Sequence, residues 1–302
     1  MGRRQPPLLL IENVPGFLTS HGGRDFRAAI QRLNELGYRC DAVLIDAARF
    51  VPQSRQRLFI VAALEALHVM PPFSEAVLFA GGDLRPSALI RFILSNGDLR
   101  WSVRPLPALP RRKSNLDDII ENLPADDNMW WSDERVGHVI SQMKPDHLAK
   151  IEGIKRGQRY SYATAYRRMR NGRSMAEVRN DGLSGCLRTP RGGSSRQILI
   201  KAGYGKVRVR HMTAREYARL QGVDDTFQIN VPLNQGLFGF GDAVCVPVIR
   251  WISANYLEPL ALAIGIGGDT VDRTVENGAP RSEAVGRKAE QECVPAMPPH
   301  PG

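Results

Sequence analysis

Residues 8–16 read LLLIENVPG and residues 53–63 read QSRQRLFIVAA, and the fold class follows from these two stretches and what lies between them. Leu8–Ile11 is a short continuous apolar run, the pattern of a strand covered on both faces. Glu12-Asn13-Val14 closes it, and Pro15-Gly16 turns the chain away. Next, Phe26, Ile30, Leu33 and Leu36 fall at helical spacing within Arg24–Leu36, with Gly37 placed to end the helix. Two further apolar runs, Ala42–Ile45 and Leu58–Ala63, are separated by the polar loop Ala47–Gln56. Strand, helix, strand, loop, strand is the arithmetic of an α/β sheet. The first strand has no earlier strand in this sequence to flank it, which leaves half of such a sheet unaccounted for.

From about Met70 to Arg210 the regular pattern dissolves. Pro71, Pro72, Pro105, Pro107 and Pro110 break the chain, and Arg111-Arg112-Lys113 adds a basic knot. Lys155–Arg179 carries Tyr160, Tyr162 and Tyr166 among many arginines, and residues 188–196, RTPRGGSSR, form a glycine-bearing basic loop before a strand at Gln197–Lys201. This reads as a second, irregular domain with exposed loops. Regularity returns at Thr213, where Glu216 three residues on gives the spacing of a capping box and Tyr217 and Leu220 supply an apolar face. Ala243–Ala263 reads as another helical stretch, interrupted near Pro247 or Pro259. Beyond about Gly265, Gly, Pro and charge dominate, the composition of a disordered tail.

Lys and Arg total 41 against 31 Asp and Glu, a net charge of +10, and arginine dominates the basic residues. Its planar fork suits phosphates and guanine edges, although a solvated basic surface accounts for the charge equally well. Cys40, Cys186, Cys245 and Cys293 lie far apart, with no C-x-x-C pair and no histidine cluster, so neither a disulfide framework nor a metal site is expected. Glu12 and Asn13 interrupt the first apolar run too soon for a signal peptide or a membrane span. The expectation is a cytoplasmic protein without membrane contact, nucleoid-associated in a prokaryote.

Two local features carry chemistry. In an open α/β sheet ligands meet the ends of buried strands, and a carboxyl such as Glu12, half out of water there, would favour its neutral form and could donate a proton. Taken singly, a Glu after a strand is a weak signal. Gln53, Arg55 and Arg57 share one face of an extended segment, where three long donors could grip a phosphate or a base carbonyl. A solvated edge strand explains them as well.

Taken together, Glu12-Asn13-Val14 closing one strand and Gln53-x-Arg55-x-Arg57 opening the next but one resemble the DNA cytosine-5 methyltransferases. Residues 210–222, RHMTAREYARLQG, look like that family's arginine-rich helix beside the recognition domain, and Gly241-Asp-Ala-Val-Cys-Val-Pro-Val248 looks like its closing Gly-Asn-x-Val-x-x-Pro-Val motif. The four motifs stand in the family's order, with a basic insert of recognition-domain size before the last two. The resemblance implies a partial, Rossmann-like S-adenosylmethionine-dependent methyltransferase sheet joined to a small irregular, mainly β target-recognition domain. It divides the chain into half of the catalytic sheet (1–70), the recognition region (71–209), a return segment (210–265) and the tail (266–302).

The same resemblance implies the site. The target cytosine of double-stranded DNA is flipped into a pocket, a cysteine thiolate adds to C6, and C5 takes the methyl group. Glu12, beside Asn13, would hold N3 and the exocyclic amine; Arg57 would hold O2, with Arg55 in support. Gly241, Asp242, Ala243 and Val244 would line one side of the cofactor. Asp242 stands where the family more often has Asn, and it can accept hydrogen bonds but not donate amide protons. DNA contacts would fall to Gln53, Arg188, Thr189, Gly192, Gly193, Ser194, Ser195 and Arg215.

The family's Pro-Cys nucleophile loop and its first cofactor loop, Phe-x-Gly-x-Gly, are not in this sequence, and none of the four cysteines follows a proline. Phe79-Ala-Gly-Gly-Asp83 lacks the surrounding βαβ unit, and Gly236-Leu-Phe-Gly239-Phe-Gly241 reads as a turn rather than a dinucleotide fingerprint. The expectation is a chain inactive alone. It could be a subunit completed by a second chain carrying the front half, a truncated form of a single-chain enzyme, or a non-catalytic DNA-binding remnant or specificity subunit.

Overall fold

The structure is a computed structural model that describes residues 5–189 and 196–265. The expected tail (266–302) and Gly192, Gly193, Ser194 and Ser195 lie outside the described residues. In chain order the elements are β1 (Leu8–Asn13), α1 (Arg24–Glu35), β2 (Tyr38–Asp46), β3 (Gln56–Leu64), α2 (Glu75–Phe79), α3 (Ser87–Ser95), α4 (Leu116–Ile119), α5 (Asp133–Ser141), α6 (Pro145–Lys155), β4 (Ser161–Arg170), β5 (Arg173–Arg179), β6 (Ile198–Gly203), β7 (Lys206–His211), α7 (Ala214–Leu220), α8 (Leu233–Asp242), α9 (Val246–Ile252) and α10 (Glu258–Ala263).

The α/β reading of the first stretch holds. Its strands form a sheet in the order β1-β3-β2, with β3 antiparallel to both neighbours. Because side chains alternate across a strand, each strand feeds two cores. Leu44, Leu58 and Ile60 face α1, α2 and α3 through Phe26, Ile30, Leu78, Leu89 and Ile93. Val43, Phe59 and Val61 face α9 and α10 through Val248, Ile252 and Leu260. Leu99, Trp101 and Val103 join the first of these cores, so residues up to about 103 pack with the first sheet and the expected boundary at residue 71 falls inside it. Ser102 N–H donates to Cys40 O and Cys40 N–H to Arg100 O, which covers the free side of β2.

The second sheet runs β5-β4-β6-β7, all antiparallel. Ala163, Ala165, Ile198, Ile200 and Val209 face α5 and α6, while Leu199 and Tyr162 on the opposite face meet α4, α7 and α8.

The capping box at the start of α7 is present in both halves: Thr213 accepts from Glu216 N–H, and Glu216 accepts from Thr213 N–H. One local reading needs correction. Residues 233–242, which include Gly236, Gly239 and Gly241, form helix α8 rather than a turn. A Cβ on Gly236 would stand 2.9 Å from Ala214 Cβ, so that glycine serves close packing of α8 on α7. The closing stretch carries a π-helical turn at Ser253–Leu257, directly before Pro259, while Pro247 sits in the first turn of α9. By length and hydropathy alone Leu233–Ala263 could cross a membrane; in the fold it buries Leu237, Val248, Ile252, Tyr256 and Leu260 against protein.

Candidate active site

The register of β1 on β3 pairs Glu12 with Phe59, which places Arg57 diagonally across from Glu12 on the same face. Arg57 Nε stands 3.0 Å from Glu12 Oε1, and both side chains are mostly buried, 17% and 22% exposed. Glu12 Oε2 has no hydrogen-bond partner among the described residues, so the pair presents a vacant carboxylate acceptor beside guanidinium donors. Asn13 is committed locally, its Oδ1 accepting from Val14 N–H. Arg57 also donates to Gln56 O at 2.8 Å and lies 3.6 Å from the Cys186 sulfur.

Behind this pair three segments converge on Arg55, which is 5% exposed. Its guanidinium donates to Leu187 O (3.0 Å) and Ala243 O (2.9 Å) and touches Cys186 Sγ at 3.6 Å. Asp46 at the end of β2 fixes the backbone beneath it by accepting from Arg55 N–H. Gln53, expected at the DNA, is fully buried instead. Its Oε1 accepts from Leu187 N–H and its Nε2 donates to Leu220 O, so it joins the loop to the segment before β6 and to the end of α7. Gln221, also fully buried, completes the joint by donating to Phe240 O and Ala243 O.

Gly241 closes against Arg188, where a Cβ would meet the Arg188 carbonyl carbon at 2.7 Å. Asp242 accepts from the Thr189 hydroxyl, and Val244 is exposed. A surface carboxylate next to an exposed apolar side chain fits one wall for a cofactor that carries both an ammonium group and an apolar ring system. The turn would hold S-adenosylmethionine, the family's methyl donor, from one side only.

Arg188 helps to line a hollow of about 740 Å³ with Ser54, Tyr166, Arg167, Arg168 and Cys186. Arg215 points elsewhere and donates to Asp224 O and Phe227 O in the loop after its own helix. Sequence reasoning missed Cys186, Asp46 and Gln221. Gln221 and Cys186 sit inside or beside quoted motifs, but only their distant partners reveal what they do. Cys40 and Cys245 are packing residues, and burial pushes their thiols up to about 12 and about 11.

The α/β sheet thus brings a carboxylate and a guanidinium together at its strand ends, beside an arginine-lined hollow. The chain belongs to the C-5 cytosine-specific DNA methylase family, whose model matches residues 2–258. It is similar to the type II methyltransferase M.HaeII of Haemophilus aegyptius, 26% identical over 263 residues that cover 86% of this chain and 64% of that protein. It is also similar to M.AgeI of Thalassovita gelatinovora, 41% identical over 108 residues, 30% of this chain and 25% of that protein. Among solved structures, the S. pombe Dnmt2 methyltransferase aligns with a TM-score of 0.48 at 16% identity, covering 85% of this chain and 67% of the other. The chain spans 64% and 60% of the length of the first two curated relatives that it matches.

Proposed function

We propose that this chain carries half of the catalytic sheet and the target-recognition region of a DNA cytosine-5 methyltransferase of the restriction–modification type, working in the cytoplasm. The observation that supports this reading most directly is the Glu12–Arg57 pair at 3.0 Å. A flipped cytosine offers an exocyclic amine and N3 on one edge and O2 next to them. Glu12 accepts from the amine and holds or delivers the proton at N3, Arg57 donates to O2, and Arg55 keeps Arg57 and the Ala243 turn in register. S-adenosylmethionine, held on one side by Gly241–Val244, supplies an electrophilic methyl group. Recognition of the duplex falls to the second sheet, its helices, and the loop that Arg188 and Thr189 begin.

The attacking thiolate comes from a Pro-Cys segment outside these 302 residues, in the same polypeptide or in a second chain. Cys186 lies close by, but its contacts with Arg55 and Arg57 suit a packing partner that sets the two guanidiniums. The test is to mix the 302-residue chain with a chain bearing the family's Pro-Cys loop and to measure transfer of labelled methyl groups from S-adenosylmethionine to duplex cytosines. Neither chain alone should transfer, and the mixture should, with Cys186→Ser staying within a few-fold of the unmodified mixture. Activity of this chain alone that Cys186→Ser abolishes would overturn the assignment of the nucleophile. Duplex binding at low salt without any restored transfer would favour a non-catalytic DNA-binding subunit.

A further inference from the structure

At the end of the second sheet that faces α5, four basic groups gather with no acid among them. Arg167 follows Ala163 and Ala165 on the core-facing side of β4, but β4 pairs with β6 only as far as Ala165↔Ile198. Its side chain therefore stands beyond the β6 ladder, level with Arg196 and Gln197. His211 ends β7 opposite Ile198. On α5, the Arg135 guanidinium stacks on the Trp131 ring, 3.9 Å from its centroid, with an Nη 3.5 Å from His211 Nε2. Trp131 also packs edge-on against His211, the ring centroids 4.9 Å apart. Arg196 approaches from the segment before β6 and donates to Asn234 Oδ1.

Two other arginines on the same sheet have carboxylate partners: Arg170 pairs with Glu177 and Arg179 with Asp181. Arg135, Arg167 and Arg196 pair with no carboxylate among the described residues. Burial, together with Arg135, Arg196 and Arg167, pushes the His211 imidazole down to about 4. Among the described residues, the Nδ1 of His211 and the Nε of Arg196 are buried without a hydrogen-bond partner. Like charges held this close repel one another unless an anion sits between them. Stacking on Trp131 fixes the plane of Arg135, and the planar N–H edge of a guanidinium suits phosphate oxygens.

We propose that Arg135, Arg167 and His211 form a notch for one backbone phosphodiester of bound DNA, with Arg196 adding charge behind it. The inference rests on the methyltransferase reading above and gives it a location. Arg167 also lines the hollow that reaches Ser54 and Cys186, and Cys186 touches Arg57. A strand gripped at the notch can thus run along the hollow toward the base site.

The experiment uses the full chain, a short duplex and inorganic phosphate. Duplex affinity is measured against salt for the unmodified chain, for Arg167→Ala, for Arg167→Lys, and for Arg32→Ala as a surface control paired with Glu35. Losing one phosphate contact should lower the slope of log affinity against log salt by about 0.9 for Arg167→Ala and leave it unchanged for Arg32→Ala. Arg167→Lys keeps the charge and should keep the slope while binding more weakly. In the unmodified chain, the His211 titration followed by NMR should move up when duplex is added, because the anion offsets the three guanidiniums. A chain that binds duplex normally, with Arg167→Ala matching the control and His211 unmoved, overturns the notch and spares the DNA reading. A chain that binds no duplex at low salt removes both. A His211 response to inorganic phosphate but not to duplex overturns the phosphodiester assignment.

Discussion

Glu12 sets one carboxylate oxygen 3.0 Å from Arg57 Nε, and its other oxygen has no hydrogen-bond partner among the described residues. Replacing Glu12 by Gln keeps the shape and an oxygen beside Arg57 but removes the carboxylate that the proposed mechanism uses to hold or deliver a proton. In the reconstituted enzyme, Glu12→Gln should lower the methyl-transfer rate by about 100- to 10,000-fold, the range of a lost general acid, while duplex affinity changes far less. Single-turnover transfer and equilibrium DNA binding, measured on the same preparation, check this; equal losses in both would make Glu12 a positioning residue. The strand-end positions of Glu12 and Arg57 are legible in the sequence because both signals are local, a polar residue at the end of an apolar run and an alternating Arg at the start of another. Gln53 was not legible. Its alternation with Arg55 and Arg57 suggests a shared exposed face, yet its partners Leu187 and Leu220 lie more than a hundred residues away, and they draw its amide into the interior.

The link between β7 and α7 shows the same division at the scale of elements. The Thr213-x-x-Glu216 spacing is enough to place the first turn of α7, since a capping box satisfies two backbone donors that the helix itself cannot. It does not disclose that Glu216 has a second task. Both of its oxygens accept from the Arg210 guanidinium, and the two side chains are fully buried. Glu216 Oε1 also accepts from Glu121 N–H, which fastens the segment after α4 to the same point. Two substitutions separate the tasks. Thr213→Ala should lower unfolding free energy by about 1 kcal/mol, the value of a cap. Glu216→Ala, which strands a buried guanidinium, should cost about 3–5 kcal/mol. Urea titration of both variants checks the difference, and near-equal losses would mean that Arg210 finds water when its partner is removed. Helix α8 escaped the sequence reading for a related reason: three glycines suggest a turn when only the local chain is in view. In the fold, Gly236 and Gly241 let neighbouring backbone and Ala214 come close, and burial of Leu237 against α7 holds the helix in place.

For the whole molecule, the telling feature is the outer side of β1. The other outer strand of that sheet, β2, is covered by residues 100–102. β1 pairs only with β3, and among the described residues no element bonds to its other side. Strands that end a sheet in water are commonly short, charged or interrupted. β1 is instead Leu-Leu-Leu-Ile up to Glu12, with Leu9 and Ile11 packed toward one core and Leu8 and Leu10 toward the other. A strand that is apolar on both faces belongs in the interior of a sheet, which supports a further strand beside it, and the segment that brings the attacking cysteine would join the sheet here. Hydrogen exchange offers a direct measure. In the 302-residue chain, the β1 amides that point away from β3 should exchange far faster than those of β3, which opens only with the sheet. Adding a Pro-Cys-bearing chain should slow those same amides and raise the melting temperature with its concentration, as expected for a partner that binds only the folded state. Outer β1 amides already as protected as those of β3 in the isolated chain would mean that this edge is closed by something else, and the proposed junction would have to lie elsewhere.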